Sequence, residues 1–374
     1  MAAAHIGKNW RILARNRRQR SGLFGRMPGM HADAIAAELL RLSPAYAPTP
    51  LLDLQHLAAR LGLRQLLAKD EGQRMLGSFK SLGGTYAGLR ALARAAGMPV
   101  ATLIAARPVG QPALVCASDG NHGLAVAAAA AFAGAPARIV LHAGVPAARA
   151  ERIAARGAEI LWVDGTYDDA VDAAAAAARR IGGILVADTT DDAADPVVAD
   201  VMAGYGVIAA ELRRQAAATG IAPLTHLFVQ AGVGGIAAAL AEGLAGWLAP
   251  PARIVVVEPA EAPCITAALA AGRPVRVPGR LQTAAGMLSC GEASAPALAL
   301  LRRHGAHAVT VGEALLAEAP RLLYAEGGPT STPSGAAGLA GILAALADPA
   351  VAATIGLSAE SRVLIPVTEA EIGD

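Results

Sequence analysis

Lysine is almost missing from this chain. Three lysines occur in 374 residues, Lys8, Lys69 and Lys80, and the other basic residues are arginines. A guanidinium stays protonated at neutral pH and forms no Schiff base, so an enzyme needing an amine to hold an aldehyde has little choice here. Aromatic residues are only 3% of the chain, too few for the stacking platforms of single-strand nucleic-acid binders. A net charge of +2 suits neither a nucleic-acid surface nor a trap for acidic ligands.

Cysteine is scarce too. Cys116, Cys264 and Cys290 have no metal-ligand spacing and make no disulfide framework. They read as small buried hydrophobes in a reducing compartment, with one Cys264–Cys290 bridge left open. No metal is expected. Long apolar runs are also lacking. Mean hydropathy is +0.43, but alanine produces it, and runs such as 124–137 fall short of the ~20 apolar residues of a membrane span. The expectation is a soluble, cytoplasmic protein with no membrane or nucleic-acid partner. The first 32 residues hold seven basic residues and no acid. A frayed basic terminus or an organellar presequence has that composition, and the first reading is preferred; a secretory apolar core is not present.

What the chain does have is alternation. Its length gives about two domains. Strand patterns recur at 113–117, 138–142, 159–163, 183–187, 225–230, 253–258, 307–311 and 362–367. Helical patterns lie between them, at 121–133, 146–156, 167–181, 196–218 and 236–244. Repeated βα units of this size predict an α/β protein with parallel sheets covered on both faces. Upstream, residues 48–52 read as extended, 64–69 as a strand and 85–96 as a helix closed by Gly97.

Four segments carry candidate chemistry. Lys80 stands in Gly-Ser-Phe-Lys-Ser-Leu-Gly-Gly-Thr-Tyr, residues 77–86, after a small-residue turn. Ser118, Asp119, Gly120, Asn121, His122 and Gly123 run from a strand end to a helix start, where free N–H groups and a positive dipole end suit a carboxylate. A simple helix cap is the plain alternative, and His122 alone would more often be structural. Gln230, Ala231, Gly232, Val233, Gly234 and Gly235 form a turn whose N–H groups can converge on a phosphate. Gly232, Gly234 and Ala237 also fit a relaxed dinucleotide fingerprint, with Glu258 where a ribose-binding acid belongs. Finally, Thr368 and Asp188 stand at the C-terminal ends of strands, where α/β proteins place ligands.

Taken in order, these segments resemble the fold-type II (tryptophan synthase β-like) pyridoxal-phosphate enzymes, and within them the ammonia-lyases that act on 2,3-diaminopropionate. Further landmarks of the resemblance are Lys69-Asp-Glu, Tyr167-Asp-Asp, Val257-Glu-Pro, Cys290-Gly-Glu and Ser334-Gly-Ala-Ala-Gly, so that it spans about residues 45–370. Asp119 is the discriminating position, because serine and threonine dehydratases usually have a small residue there.

The resemblance implies two domains, each with a largely parallel sheet flanked by helices: a large one from 1–84 and 165–374, and a small one from 85–164. It implies that Lys80 carries pyridoxal 5'-phosphate as a Schiff base beside Phe79. Asn121 would meet the phenolic oxygen, Gly232, Val233, Gly234 and Gly235 the phosphate, and Thr368 the pyridine nitrogen. Ser118, Asp119, Gly120, Asn121 and His122 would bind the substrate, with Lys80, Asp119 and Asp188 as acid–base groups. It further implies a homodimer. A serine or threonine dehydratase on the same scaffold is the alternative activity, and a nicotinamide-dependent oxidoreductase is the alternative class. Residues 189–199 depart from the family in lacking aromatic character beside Asp188.

Overall fold

The apolar runs pair into two sheets. The structure is a computed structural model that describes residues 32–118 and 120–371; the basic N-terminus and Asp119 lie outside the described residues. The strands are β1 (Leu51–Asp53), β2 (Gln65–Asp70), β3 (Leu114–Ala117), β4 (Ala137–His142), β5 (Glu159–Val163), β6 (Ile184–Leu185), β7 (His226–Gln230), β8 (Arg253–Pro259), β9 (His307–Val311) and β10 (Arg362–Val367). The first seven helices are α1 (Ala32–Leu42), α2 (Gln55–Arg60), α3 (Lys80–Ala96), α4 (Val100–Ala106), α5 (Asn121–Ala133), α6 (Ala147–Ala154) and α7 (Tyr167–Ile181). After them come α8 (Pro196–Thr219), α9 (Gly235–Gly243), α10 (Cys264–Ala271), α11 (Ala295–Arg303), α12 (Glu313–Ala325), α13 (Ala337–Ala347) and α14 (Pro349–Ile355).

The larger sheet has the order β1-β2-β10-β7-β8-β9 and the smaller β5-β4-β3-β6. Only β1 runs antiparallel to its neighbour. Side chains alternate across the large sheet as a pleat requires. Phe228 of β7 joins a cluster with Leu316 and Leu339 on one face, while Leu227 and Val229 join Val207 and Leu240 on the other. With both faces covered, β7 is buried at every residue. Among the described residues no single helix is long and apolar enough to cross a membrane.

The small sheet reaches further along the chain than expected. Its strand β6 pairs with β3 (Leu114 with Ile184, Val115 with Leu185), and α7 packs against β3 and β4. The predicted boundary at residue 164 therefore stops one helix and one strand short, because the chain crosses back only after β6 has completed the sheet's other edge.

Helix α3 begins at Lys80 rather than Thr85 and is wedged between α5 and α8. Its glycines explain how it fits. A Cβ on Gly83 would lie 2.5 Å from Val201 O, and one on Gly84 would lie 2.7 Å from the Cβ of Ala125. Behind this wedge lies a buried ionic network. Lys69 Nζ donates to Glu211 at 2.7 Å and to Thr49 O at 2.7 Å, and Arg74 pairs with Glu71 at 2.8 Å and Glu211 at 2.7 Å. Burial lowers the Lys69 pKa below the ordinary lysine value, and Glu71 and Glu211 act against that shift.

Candidate active site

The ends of β7 and β10, the loop after β3 and the segment after β6 converge on one cleft. This is where sheets of this kind bind ligands. Lys80, Phe79, Ser118, Asn121, His122, Asp188, Gly232, Val233, Gly234, Gly235 and Thr368 all line it. Asp119 lies outside the described residues.

The turn carrying Lys80 is stitched to the end of β10. Leu76 and Gly77 both take positive φ, 68° and 78°, to reverse the chain. The Phe79 N–H then donates to Thr368 O at 3.1 Å, and the Ala370 N–H to Gly77 O at 2.9 Å. Phe79 packs on Tyr205 with ring centroids 4.8 Å apart, and Lys80 Nζ sits 5.7 Å above the Phe79 ring. The Lys80 ammonium donates to one oxygen of Asp188, and the Tyr167 hydroxyl donates to the other at 2.8 Å. Burial alone would lower the Lys80 pKa, but the Asp188 carboxylate outweighs it and holds the amine well above the usual lysine range. Conversely, burial would raise Asp188, and the Lys80 charge with the hydrogen bonds from Lys80 and the Tyr167 hydroxyl holds it well below the carboxylate range.

Opposite Lys80, the loop before α5 is built on Ser118. Its hydroxyl accepts the N–H groups of Gly120 and Gly123, both at 2.8 Å. Gly120 sits at φ 139°, in the region that favours glycine. Asn121, at the first position of α5, donates from Nδ2 to the Glu369 carboxylate. His122 is buried, with Nε2 on Val186 O at 2.7 Å. Burial lowers its pKa, so it is a neutral tether to the segment after β6.

The glycine turn between β7 and α9 leaves the first N–H groups of α9 facing the cleft, as helix starts do. The turn has no room for side chains: a Cβ on Gly232 would lie 2.9 Å from Cys290 Sγ, and one on Gly234 would lie 2.8 Å from Ile265 Cδ1. Thr368 Oγ1 accepts from Gln230 Nε2 at 2.9 Å, so its own proton is left for the cleft. Glu258 does not serve a nucleotide. It is fully buried and caps α10, accepting from the N–H groups of Ile265 at 2.6 Å and Thr266 at 2.8 Å. Its side chain faces its own helix start, so the ribose-binding alternative loses its acid. The three cysteines are buried, and none is in a disulfide.

Among the cleft residues missed as site candidates are Tyr205 and Glu369. Tyr205 sits inside the long apolar pattern of α8 and gives no local signal. Glu369 did give one, a charge directly after the last residue of an apolar strand and the Thr368 hydroxyl.

An amine in a pocket, a glycine turn at a helix start and a hydroxyl with its proton unspent are a donor set for an aldehyde carrying a phosphate and a ring nitrogen. A family model described as "Pyridoxal-phosphate dependent enzyme" matches residues 42–368. The chain belongs to this family, and its cofactor is pyridoxal 5'-phosphate. Diaminopropionate ammonia-lyase of Salmonella typhimurium is 34% identical over 317 residues, 80% of this chain and 78% of that protein. A solved structure, holo diaminopropionate ammonia lyase from Escherichia coli, matches with a TM-score of 0.81 at 29% identity, covering 91% of this chain and 88% of that one. Another solved structure of the Escherichia coli enzyme, in complex with an aminoacrylate-PLP azomethine reaction intermediate, matches with a TM-score of 0.80 at 29% identity, covering 91% and 89%. A solved threonine deaminase from T.th. matches less well, with a TM-score of 0.72 at 28% identity and coverage of 91% and 98%. The architecture of this family member is thus that of the fold-type II enzymes.

Proposed function

We propose that this enzyme eliminates ammonia from 2,3-diaminopropionate, D and/or L, to give pyruvate and a second ammonia. One observation carries the reading. Of the two lysines among the described residues, Lys69 is locked in the buried network and Lys80 alone lines the cleft.

Lys80 is the residue that would hold the cofactor, through Nζ. The N–H groups of Gly232, Val233, Gly234 and Gly235 would take its phosphate, Asn121 its phenolic oxygen and Thr368 its ring nitrogen. When bound, pyridoxal phosphate supplies the electron sink that makes the substrate's α-hydrogen acidic. Thr368 would bring a neutral hydroxyl to the ring nitrogen, without the negative charge that would hold a proton there. The substrate carboxylate, a small anion, suits the positive end of α5 beside the Ser118 loop.

Lys80 Nζ takes the α-proton of the L-isomer, and the family resemblance gives that of the D-isomer to Asp119. The β-amine leaves as ammonia only if it is protonated. The environment of Asp188 supports Lys80 Nζ as the source of that proton. A carboxylate held well below its usual range beside a charged lysine is a poor donor, so Asp188 serves as the counter-ion of Lys80 once Nζ has taken up a proton, with Tyr167 orienting it.

The deciding experiment is a pyruvate assay on D- and L-diaminopropionate, serine and threonine. Turnover of diaminopropionate above the hydroxy amino acids is expected, and the reverse order makes the enzyme a dehydratase. Wild type is expected to be yellow and Lys80→Ala colourless and inactive. A colourless wild type after reconstitution with pyridoxal phosphate would remove the cofactor site. Asp119→Asn is expected to spare the L-isomer relative to the D-isomer, and equal loss on both would refute the two-base assignment. The family resemblance also supports a homodimer, which light scattering checks.

A further inference from the structure

Glu369 is a buried carboxylate that the chemistry above does not use. It follows Thr368 just past the end of β10 and is 4% exposed. One carboxyl oxygen accepts from Asn121 Nδ2 and the other from the Thr332 hydroxyl. Thr332 Oγ1 in turn accepts the Gly335 N–H at 3.0 Å, which leaves its proton for Glu369. Both carboxyl oxygens therefore face donors, the pattern of an ionised acid. Burial pushes its pKa up, with Thr332, Arg149 and Asn121 acting against the push.

The main chain around it is pinned as well. The Ser331 hydroxyl donates to Glu369 O at 2.6 Å, and Ser78 bridges to Glu369 from the Lys80 turn. A Cβ on Gly335 would come within 3.0 Å of Glu369 Cγ, so glycine there keeps the carboxylate's place open.

An ionised carboxylate accepts and never donates, whereas a primary amide has a donor end and an acceptor end of nearly the same shape. The partner decides which end faces it. Against Glu369, Asn121 must present Nδ2, and the second N–H of that nitrogen is then available on the cleft wall that both residues line. A phenolic oxygen that is an acceptor requires that N–H and would be repelled by Asn121 Oδ1.

We propose that Glu369 is a positioning residue that fixes the orientation of the Asn121 amide, so that Asn121 offers an N–H to the cofactor's phenolic oxygen. This rests on the reading of Asn121 as a cofactor contact. Thr368 and Glu369, adjacent at one strand end, then govern both polar edges of the ring, one by direct donation and the other through Asn121.

A double-mutant cycle tests it on the apoenzyme's affinity for pyridoxal phosphate, with the visible spectrum of the loaded proteins as a second readout. Glu369→Gln keeps the shape but can donate, so Asn121 is free to turn over. It is expected to weaken cofactor binding about tenfold and to change the visible band, the scale of one charge-assisted hydrogen bond. In an Asn121→Ala background the same change is expected to alter affinity less than about twofold, because the residue it acts through is gone. Additive losses, or a Glu369→Gln protein that overlays wild type, overturn the proposal. If Glu369→Gln does not fold, Thr332→Val loosens the carboxylate instead and enters the same cycle, with additivity again the overturning result. Failure of the underlying reading looks different: wild type takes up no cofactor, or Asn121→Ala binds it as wild type does.

Discussion

Gly83 on α3 and Gly204 on α8 stand face to face, so close that a Cβ on Gly204 would lie 2.6 Å from Gly83 Cα. The crossing sets where α3 lies, and α3 starts with Lys80. A methyl group here meets backbone, which cannot step aside. Gly204→Ala is expected to destabilise the fold by roughly 2–3 kcal/mol, at the upper end of overpacking costs. Gly206, two residues on, has nothing within 4 Å of its Cβ position, so Gly206→Ala is expected to be neutral or to gain about 0.5–1 kcal/mol from helix propensity. Urea denaturation compares the two, and equal effects would refute the crossing.

Lys69 and Lys80 are predicted to behave as different kinds of lysine. Glu211 receives both Lys69 and Arg74, so Glu211→Gln removes the carboxylate that the two buried cations share. Removing one partner from such a network costs about 3–5 kcal/mol. The same burial shields Lys69 from reagents. Borohydride reduction of the cofactor-loaded protein, followed by peptide mapping, is expected to find the label on Lys80 and not on Lys69.

Much of this was legible in the residues, for reasons that differ by element. Strands β5, β9 and β10 and helices α5 and α7 fall at the predicted bounds, because apolar runs between glycine and polar breaks mark them on both sides. Lys80 could be singled out by scarcity and the glycine turn by its place between a strand and a helix. The start of α3 was misplaced because Gly83 and Gly84 read locally as a turn. Their purpose is contact with α5 and α8, residues far away in sequence. The strand at 183–187 was legible, but its place at the second edge of the small sheet was not, since its partner β3 lies far away in sequence and only two residues pair. Tyr167 and Glu369 take their importance from partners, Asp188 and Asn121, that only the fold brings near.

Asp188 is predicted to control the charge on Lys80. The pair holds the lysine pKa above its ordinary value, so deprotonating Lys80 Nζ in the apoenzyme requires high pH. Asp188→Asn removes the charge that opposes burial, and the lysine pKa falls. Cofactor uptake, which needs the neutral amine, is expected to become faster at neutral pH, with its pH profile moved down by about one unit or more. Tyr167→Phe takes away only the orienting hydrogen bond and is expected to move the profile less. Stopped-flow uptake across pH measures both, and an unshifted Asp188→Asn profile would show that the ion pair does not govern the amine.

The last prediction concerns Glu258, whose carboxylate holds the start of α10 through the N–H groups of Ile265 and Thr266 and the Thr266 hydroxyl at 2.7 Å. Burial pushes its pKa up to about 7 against those donors. In the unfolded chain it titrates near the ordinary glutamate value, about 4.3. Between those two values the folded protein holds a proton that the unfolded chain has lost. Stability from this group is therefore full below the unfolded value and falls as pH rises towards the folded one. Ile265 packs over Gly234, with Cδ1 2.8 Å from where a Cβ would sit, so a loosened α10 reaches the turn assigned to the phosphate. Glu258→Gln cannot titrate. Wild type is expected to lose roughly 1–3 kcal/mol more stability than this variant between about pH 5 and about pH 8, although the variant starts lower for want of one accepting oxygen. Parallel urea curves at the two pH values read the difference directly, and equal losses in both proteins would mean that Glu258 is ionised throughout.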